Sequence, residues 1–420
     1  MNGTGEVRVR RVRWSFGSAG TNWALFLAAS VLMGITSGMY ETSFNNYLGD
    51  VFQVSAKTRG LLEIPREFPG VSIVVISAVL AFLPEVKVAA IAVGLWALGL
   101  AGLGLLSQGL PVLILWMMTV SVGSHLYMPL NQAIGVGIAE QNLVGTRLGQ
   151  LAGANTAAVI IGAGVVWLGT RYLNLGYTGI FVVAAVALFL AMLCLIPMKL
   201  KPRDKGVAAK RFVVKRRYGL FYALSILFGA RKQVFITFAP WVIIKVFGQP
   251  ASTIAMLWIV SSVLGIAFKP LLGRLVDSYG ERKILMGEAF GLILVCIGYA
   301  SGDNLKLGGY NLGLYLTYTC FVADQLLMGV GIARTTYLNK IAEDPRDLTP
   351  TLSFGISIDH VVSMLVPTFG GLLWAAQGYE YVFLAAAGVA LLNLVVAGMI
   401  KIPSPTRAEV GVVGKAAMEG

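Results

Sequence analysis

The chain has 420 residues, of which 57% are hydrophobic and only 13% are charged. A mean hydropathy of +0.77 excludes an ordinary soluble domain and is typical of a polytopic membrane protein. The net charge of +13 would suit nucleic acid, but it is distributed as in membrane proteins. We therefore expect a lipid bilayer, and no nucleic acid, as a partner.

Twelve apolar stretches are long enough to cross a bilayer, which takes about 20 helical residues. They lie at 22–49, 58–84, 86–107, 111–139, 144–168, 176–198, 218–247, 251–273, 283–300, 311–340, 349–375 and 379–400. We predict an all-α polytopic protein of two six-helix bundles. The predicted parts are an N-terminal segment (1–21), a first bundle (22–198), a basic linker (199–217), a second bundle (218–401) and a tail (402–420).

The basic residues predict the topology. With the N-terminus in the cytoplasm, 23 of the 33 Lys and Arg residues fall in cytoplasmic segments and 5 in external loops. This is the positive-inside bias, so we expect a multi-pass protein of the cell membrane with both termini cytoplasmic.

The two predicted bundles repeat one sequence pattern. Residues 25–34 and 220–229, which lie 195 positions apart, are identical at six of ten positions. An apolar tandem repeat of this length is typical of transporters whose site lies between the two halves.

Strongly polar side chains recur at one depth in five predicted spans, about 10 to 14 residues from a span end at ~1.5 Å per residue. The seven residues are His125, Asn155, Arg231, Lys232, Asp324, Asp359 and His360. Charge inside a bilayer is costly unless it faces a partner or a cavity. We interpret this layer as the lining of a water-filled cavity.

A second polar group is predicted nearer the outside. Arg59, Glu63, Arg66 and Glu67 form one stripe down the second span, because they are three or four residues apart. Glu41 and Asn45 lie one turn apart in the first span. Internal ion pairing is the alternative to substrate contact. The pairs considered are Arg66 with Glu63 or Glu41, and Lys232 with Asp324 or Asp359.

Two motifs resemble those of the major facilitator superfamily. Residues 273–284, GRLVDSYGERKI, resemble its loop motif, and Glu281 stands where a basic residue is usual. The matching positions are Gly273, Leu275, Asp277, Gly280, Arg282 and Lys283. Residues 366–371, VPTFGG, resemble its helix-bending P-x-x-G-G motif. The resemblance implies two bundles related by a pseudo-two-fold axis, and helix ends tied together by Asp277, Arg282 and Lys283.

The residues and the resemblance together predict a secondary active transporter that works by alternating access. We expect proton coupling, a small anionic or amphipathic organic solute, a monomer, and no enzyme activity, cofactor or metal. The candidate substrate-binding residues are Glu41, Asn45, His125, Tyr127, Asn155, Arg231, Lys232 and Phe235. The candidate proton-coupling residues are Asp324, Asp359 and His360. The candidate gating and ion-pair residues are Arg59, Glu63, Arg66, Glu67, Asp277, Arg282, Lys283 and Arg334.

Two other functions remain open from the sequence. One is proton-coupled efflux of cationic amphiphilic drugs, in which Glu41, Glu63, Glu67 and Asp324 would bind the cation. The other is a non-transporting membrane sensor or a membrane-embedded enzyme, which is weakly supported because two histidines without a metal-binding motif offer no catalytic site.

Overall fold

The computed structural model describes residues 18–80, 82–139, 143–200, 214–307, 310–342, 344 and 347–401. Most of the predicted N-terminal segment and of the basic linker, and all of the tail beyond residue 401, lie outside the described residues.

The first half of the chain folds into seven helices. They are α1 (Ser18–Asp50), α2 (Ala56–Leu61), α3 (Glu63–Val79), α4 (Glu85–Leu105), α5 (Leu110–Ile138), α6 (Val144–Tyr172) and α7 (Tyr177–Leu195). The break between α2 and α3 at Leu62 divides the second predicted span. Pro65 explains the break, because proline lacks the N–H that would bond back to the carbonyl oxygen of Leu61.

The elements described in the second half are six α-helices, three short 3₁₀ turns and one small hairpin. The α-helices are α8 (Gly219–Lys245), α9 (Ala251–Ala300), α10 (Leu312–Leu327), α11 (Gly331–Ile341), α12 (Leu348–Gln377) and α13 (Tyr379–Gly398). The 3₁₀ turns are Arg216–Tyr218, Gly302–Asn304 and Met328–Val330. The hairpin pairs β1 (Lys306–Leu307) with β2 (Tyr310–Asn311) in antiparallel register.

The helices account for the twelve predicted spans. Ten segments of the described chain are long and apolar enough to cross a membrane. One of them, α9, has 50 residues and a length of about 75 Å, enough for two crossings of a hydrocarbon core about 30 Å thick. Its chain turns at Gly280, where φ is 79°, a value that favours glycine. The α2–α3 pair supplies the remaining crossing.

Apolar side chains form one core in the first half and two in the second. The first core centres on α1, α4 and α7, whereas α8, α9 and α13 supply most of the next. A further core joins the beginning of α8 to α9 and α11. Large apolar side chains also remain exposed on the helices, as expected for a lipid-facing surface; examples are Leu98, Leu115, Phe189, Ile266, Phe290 and Leu391.

The two halves are joined at the end of the bundle where α1 and α8 terminate, which we call the closed end. Asn46 Nδ2 of α1 donates to the carbonyl oxygen of Gln249 at 3.1 Å. Lys245 Nζ of α8 donates to the carbonyl oxygen of Gly49 at 2.7 Å. Trp241 of α8 is buried in the core of the first half. Polar and apolar contacts therefore both cross between the halves here.

Helices α2 and α12 make the closest backbone approach at the closed end. A Cβ atom added at Gly60 would lie 2.1 Å from the carbonyl oxygen of Pro367, and one added at Gly371 would lie 2.7 Å from that of Ala56. Only residues without side chains allow the two helices to touch in this way.

Candidate functional site

Charged side chains of α2 and α3 are buried as a connected stripe. Arg59 Nη1 lies 2.5 Å from Glu63 Oε1, and Arg59 Nε donates to Asn45 Oδ1 at 2.9 Å. Arg66 Nη1 lies 2.9 Å from the same Glu63 oxygen. These contacts include the predicted pair between Arg66 and Glu63. A buried charge is tolerated when it is paired and hydrogen-bonded in this way.

Two hydrogen bonds connect this stripe to the second half of the chain. Gln233 Nε2 of α8 donates to Glu63 Oε2 at 2.6 Å. His360 Nδ1 of α12 lies 3.0 Å from Glu67 Oε2. Two carboxylates of α3 are therefore held by side chains from across the interface between the halves.

The only two histidines of the chain meet beside Glu67. Their rings pack edge to face, with centroids 4.9 Å apart, and His125 Nε2 lies 3.9 Å from Glu67 Oε2. His125 Nδ1 is 2.9 Å from the carbonyl oxygen of Ser121, so this nitrogen carries the proton in the neutral ring and Nε2 faces the carboxylate. Gly70 provides the space, because a Cβ there would lie 2.8 Å from atoms of both rings. We call Arg59, Glu63, Arg66, Glu67, His125, Gln233 and His360 the interface cluster.

Glu67, His125 and His360 also offer three ligand atoms within 4.8 Å of one another. Divalent transition metals take such imidazole and carboxylate ligands. Here the Glu67 carboxylate is already bonded to His360 at 3.0 Å and lies 3.7 Å from Arg66 Nη2. We therefore interpret the three as a hydrogen-bonded group that lies beside Arg66.

Lys232 of α8 and Asp359 of α12 form an ion pair next to the interface cluster. Their side chains are 19% and 18% exposed. This is one of the two pairs that the sequence left open for Lys232. Arg334 of α11 is close enough to interact electrostatically with Asp359.

Arg231 makes a separate pair inside the second half. Its Nη2 lies 2.9 Å from Asp324 Oδ1 of α10, and the two side chains are 4% and 2% exposed. Glu288 is buried in α9 and Arg334 is half-buried in α11, and both interact electrostatically with Arg231. Two acids and two bases thus form a second-half cluster: Arg231, Glu288, Asp324 and Arg334.

The predicted polar layer is divided among different environments. His125 and His360 belong to the interface cluster, whereas Arg231 is enclosed in the second half. Phe235, predicted to contact substrate, is 2% exposed and packs against Tyr299 and Phe383 in the core. The sequence predicts one cavity lined by all seven polar residues. The structure differs, because the charged residues of the second half pair with each other, Arg231 with Asp324 and Lys232 with Asp359.

A cavity of about 600 Å³ lies away from the closed end, among α1, α5 and α6. The residues that line it are Ser30, Met33, Tyr127, Asn131, Gln132, Val136, Leu148, Leu151, Ala152, Asn155 and Thr156. We call it the polar cavity. It contains two of the predicted substrate residues, Tyr127 and Asn155. The interface cluster lies toward the closed end, since His125 precedes Tyr127 by two residues on α5.

Glu41 and the loop motif occupy other positions. Glu41 of α1 is half-buried near Arg66. In the loop, Asp277, Arg282 and Lys283 are exposed. Glu281, the departure from the family pattern, is instead buried, and its Oε1 lies 2.7 Å from Lys340 Nζ of α11. The unusual acid therefore makes the described contact between these helix ends.

Sequence reasoning missed two side chains of these clusters. Glu288 is an acid within the ninth predicted span, and the criterion that identified Asp324 would also have found it. Gln233 is uncharged and gives no such signal. Only the approach of α8 to α3 shows that its amide bonds to Glu63.

A model of the Major Facilitator Superfamily matches residues 68–353. Solved structures share the fold. The nucleoside transporter NupG, as a mutant, has a TM-score of 0.76 and 16% identity over 90% of this chain and 100% of its own. A bacterial homologue of the human lysosomal transporter Spinster has a TM-score of 0.69 and 15% identity, over 92% and 97%. A D-xylose–proton symporter has a TM-score of 0.66 and 15% identity, over 91% and 98%.

No curated protein matches the sequence. The family match covers about two thirds of the chain, and the apolar helices make it a multi-pass membrane protein. The chain is a transporter rather than an enzyme, and it belongs to the Major Facilitator Superfamily.

Proposed function

We propose that the chain is a proton-coupled secondary transporter that moves a small polar or amphipathic organic solute by alternating access. The contacts at one end and the cavity toward the other support this mechanism, because such a protein must seal one side while it exposes its site to the other. With the predicted topology, the closed end faces outward and the polar cavity is reached from the cytoplasm. The chain would act as a monomer in the cell membrane.

The single observation that carries the coupling proposal is the charge balance of the buried groups on α1, α2 and α3. Two guanidinium groups face three carboxylates. The five residues are Glu41, Arg59, Glu63, Arg66 and Glu67. With all five ionised, the group carries one excess negative charge. One proton neutralises it, and an uncompensated charge is costly in this environment.

The excess charge lies beside the two histidines, whose imidazole rings can accept or donate a proton. The ionisable groups on the helices around His360 are Arg66, Glu67, His125, Lys232 and Asp359; Tyr40 lies near Arg66 and Glu41. In our proposal, a proton held between Glu67 and His360 strengthens the bond across the interface. Its release weakens that bond and favours separation of the halves at the closed end.

Lys232 and Asp359 would complete the cycle. Protonation of Asp359 cancels its charge and releases Lys232, so the pair can open as the helices move. Asp324 would act indirectly, because Arg231 holds it within the second half. We propose that the exposed loop residues Asp277, Arg282 and Lys283 stabilise the opposite conformation.

The described neighbours support a small solute with a proton as its partner. One is titled a nucleoside transporter and another a D-xylose–proton symporter. A free anion is less well supported, since Arg231 and Lys232 are both paired with carboxylates. Efflux of a cation is also less well supported, because the carboxylates that would bind it, Glu63 and Glu67, are paired with Arg66.

Reconstitution into pyranine-loaded liposomes tests the proposal. External addition of a transported solute should acidify the lumen if proton and solute move together, and an opposite pH change would indicate exchange. Uridine, D-xylose, benzoate and ethidium represent the neutral, anionic and cationic classes. Asp359→Asn should abolish the pH change but preserve exchange of labelled solute. Asp50→Asn, at the exposed end of α1, is the matched control.

Solute movement without any pH response would remove proton coupling from the proposal. An unaltered pH response in Asp359→Asn would exclude Asp359 from coupling. Transport of ethidium alone would favour the efflux function. Binding of solute without movement would indicate a sensor.

A further inference from the structure

The polar cavity differs from both charged clusters, because none of the described residues that line it carries a formal charge. Six of its eleven lining residues carry amide or hydroxyl groups, and the other five are apolar. All eleven belong to the first half of the chain. Its volume of about 600 Å³ lies within the range of about 300–1,000 Å³ that is common for small-molecule sites.

Several hydrogen-bonding groups of the cavity remain available. Asn131 Oδ1 accepts the hydroxyl proton of Tyr127 at 3.0 Å, which leaves the Asn131 amide protons free to donate. Asn155 Nδ2 donates to the carbonyl oxygen of Ser30 at 3.3 Å, which leaves its Oδ1 free to accept. One asparagine is thus oriented as a donor and the other as an acceptor.

The rest of the lining is apolar and consists of Met33, Val136, Leu148, Leu151 and Ala152. A solute held here meets amides and hydroxyls together with aliphatic surface. This combination fits a ring compound that has polar substituents at its edge and an apolar face, and it gives both orientation and affinity.

Charge on the solute would be unfavourable in this place. An ion transferred from water into the cavity loses hydration, and the lining provides no opposite charge to replace it. The basic groups that the sequence assigned to an anion are already neutralised, Arg231 by Asp324 and Lys232 by Asp359.

We propose that the polar cavity binds an uncharged ring solute of the carbohydrate or nucleoside type, recognised by Asn131 and Asn155. This inference rests on the proposed transport function and specifies its substrate class. In this proposal, solute binding and proton binding occur at different places. The neutral groups of the first half bind the solute, and the interface cluster and the Lys232–Asp359 pair respond to protons.

Binding to the purified full-length protein tests this without any proton gradient. The probes share a ring and differ in charge: D-glucose is compared with D-glucuronate and D-glucosamine, and uridine with uridine 5′-monophosphate. A neutral probe should raise the thermal midpoint at concentrations at which its charged partners have no effect. Asn131→Ala and Asn155→Ala should each weaken binding of that probe about three- to tenfold, as expected for one lost neutral hydrogen bond.

Asn339→Ala is the matched control, because this asparagine is exposed at the end of α11; its binding should equal that of the unmodified protein. Asn155→Asp keeps the side-chain shape and an acceptor oxygen but adds a negative charge, so this variant should shift its preference from the neutral probe toward the cation D-glucosamine, a result that does not depend on the alanine variant. In the unmodified protein, preferential binding of glucuronate, glucosamine or the nucleotide would overturn the inference, as would the absence of binding by both neutral probes.

These results are separable from the transport proposal. A charged solute that drives a pH change in liposomes would preserve proton-coupled transport and refute the neutral class. A neutral solute that binds through Asn131 and Asn155 but crosses without proton movement would support the neutral class and refute proton coupling.

Discussion

Replacement of Gly60 by alanine should weaken the closed end of the molecule. The added methyl carbon would lie 2.1 Å from the carbonyl oxygen of Pro367, more than 1 Å short of ordinary contact, which begins at 3.4 Å. The methyl group is fixed to Cα and the Pro367 oxygen is a backbone atom, so no side-chain rotation can relieve the overlap. Helices α2 and α12 must separate.

The expected magnitude follows from the cost of overpacking. An extra methyl group in a tight contact typically costs about 1–3 kcal/mol, which corresponds to a change of about 5- to 150-fold between two states. The cost applies to conformations in which α2 and α12 touch. We therefore expect the population to move by this factor toward conformations that are open at this end.

Electron–electron distance measurements can detect the shift. Spin labels at Leu173 and Gln377, exposed ends of α6 and α12, would report separation of the halves. The native Cys194, Cys296 and Cys320 would first be replaced by serine or alanine. Gly60→Ala should add or enlarge a long-distance population.

Gly265→Ala is the control, because nothing lies within 4 Å of a Cβ added there on α9. It should leave the distance distribution unchanged. If Gly60→Ala gave the same distribution as this control and the unmodified protein, the assignment of the α2–α12 contact as the closing contact would be refuted.

Three further substitutions test individual interactions through thermal melting of the purified protein. Lys232→Ala should destabilise the protein by about 3 kcal/mol. This value is the lower end of the cost of breaking a buried pair, because both partners are partly exposed. The double variant with Asp359→Ala should regain most of the lost stability. Gln233→Leu should cost about 1.5–3 kcal/mol, because it removes a hydrogen bond to the charged Glu63. Gly280→Ala and Gly280→Asn should each cost about 1–3 kcal/mol, because a φ of 79° with a ψ of 159° is a backbone conformation that essentially only glycine adopts.

Each of these has a contrary result. A double variant no more stable than Lys232→Ala alone would mean that the lysine acts through contacts other than Asp359. An unchanged midpoint in Gln233→Leu would show that the bond across the interface contributes nothing net. An unchanged midpoint for alanine or asparagine at position 280 would show that the backbone conformation of Gly280 imposes no such cost.

Hydropathy was sufficient to predict the membrane class and the twelve crossings, and the motifs at 273–284 and 366–371 indicated the family. These properties are local, because about 20 apolar residues must form a helix in a bilayer wherever they lie in the chain. The loop motif likewise located the turn at Gly280. Its buried acid, Glu281, was identified as a departure, but its pairing with Lys340 depends on how α9 and α11 approach each other.

Charged residues inside the spans could also be found along the chain, but their partners could not. Lys232 had two carboxylates at a suitable depth, and the choice of Asp359 depends on the rotation of α8 toward α12. The same rotation turns Arg231, the adjacent residue, toward Asp324. Adjacent helical residues point in directions about 100° apart, so similar depth in the membrane does not imply a shared environment.

The largest difference between the sequence-based prediction and the structure concerns the positions of the neutral cavity and of the charged clusters. A repeat suggests two equivalent halves, yet the neutral cavity is built from α1, α5 and α6 of the first, and the second encloses the four residues that centre on Arg231 and Asp324. Neutral amides such as Asn131 give no signal along a sequence, since an amide in a span can face lipid, a neighbouring helix or water. Helix packing assigns these faces, and it brings His125 and His360, 235 positions apart in the chain, together on Glu67.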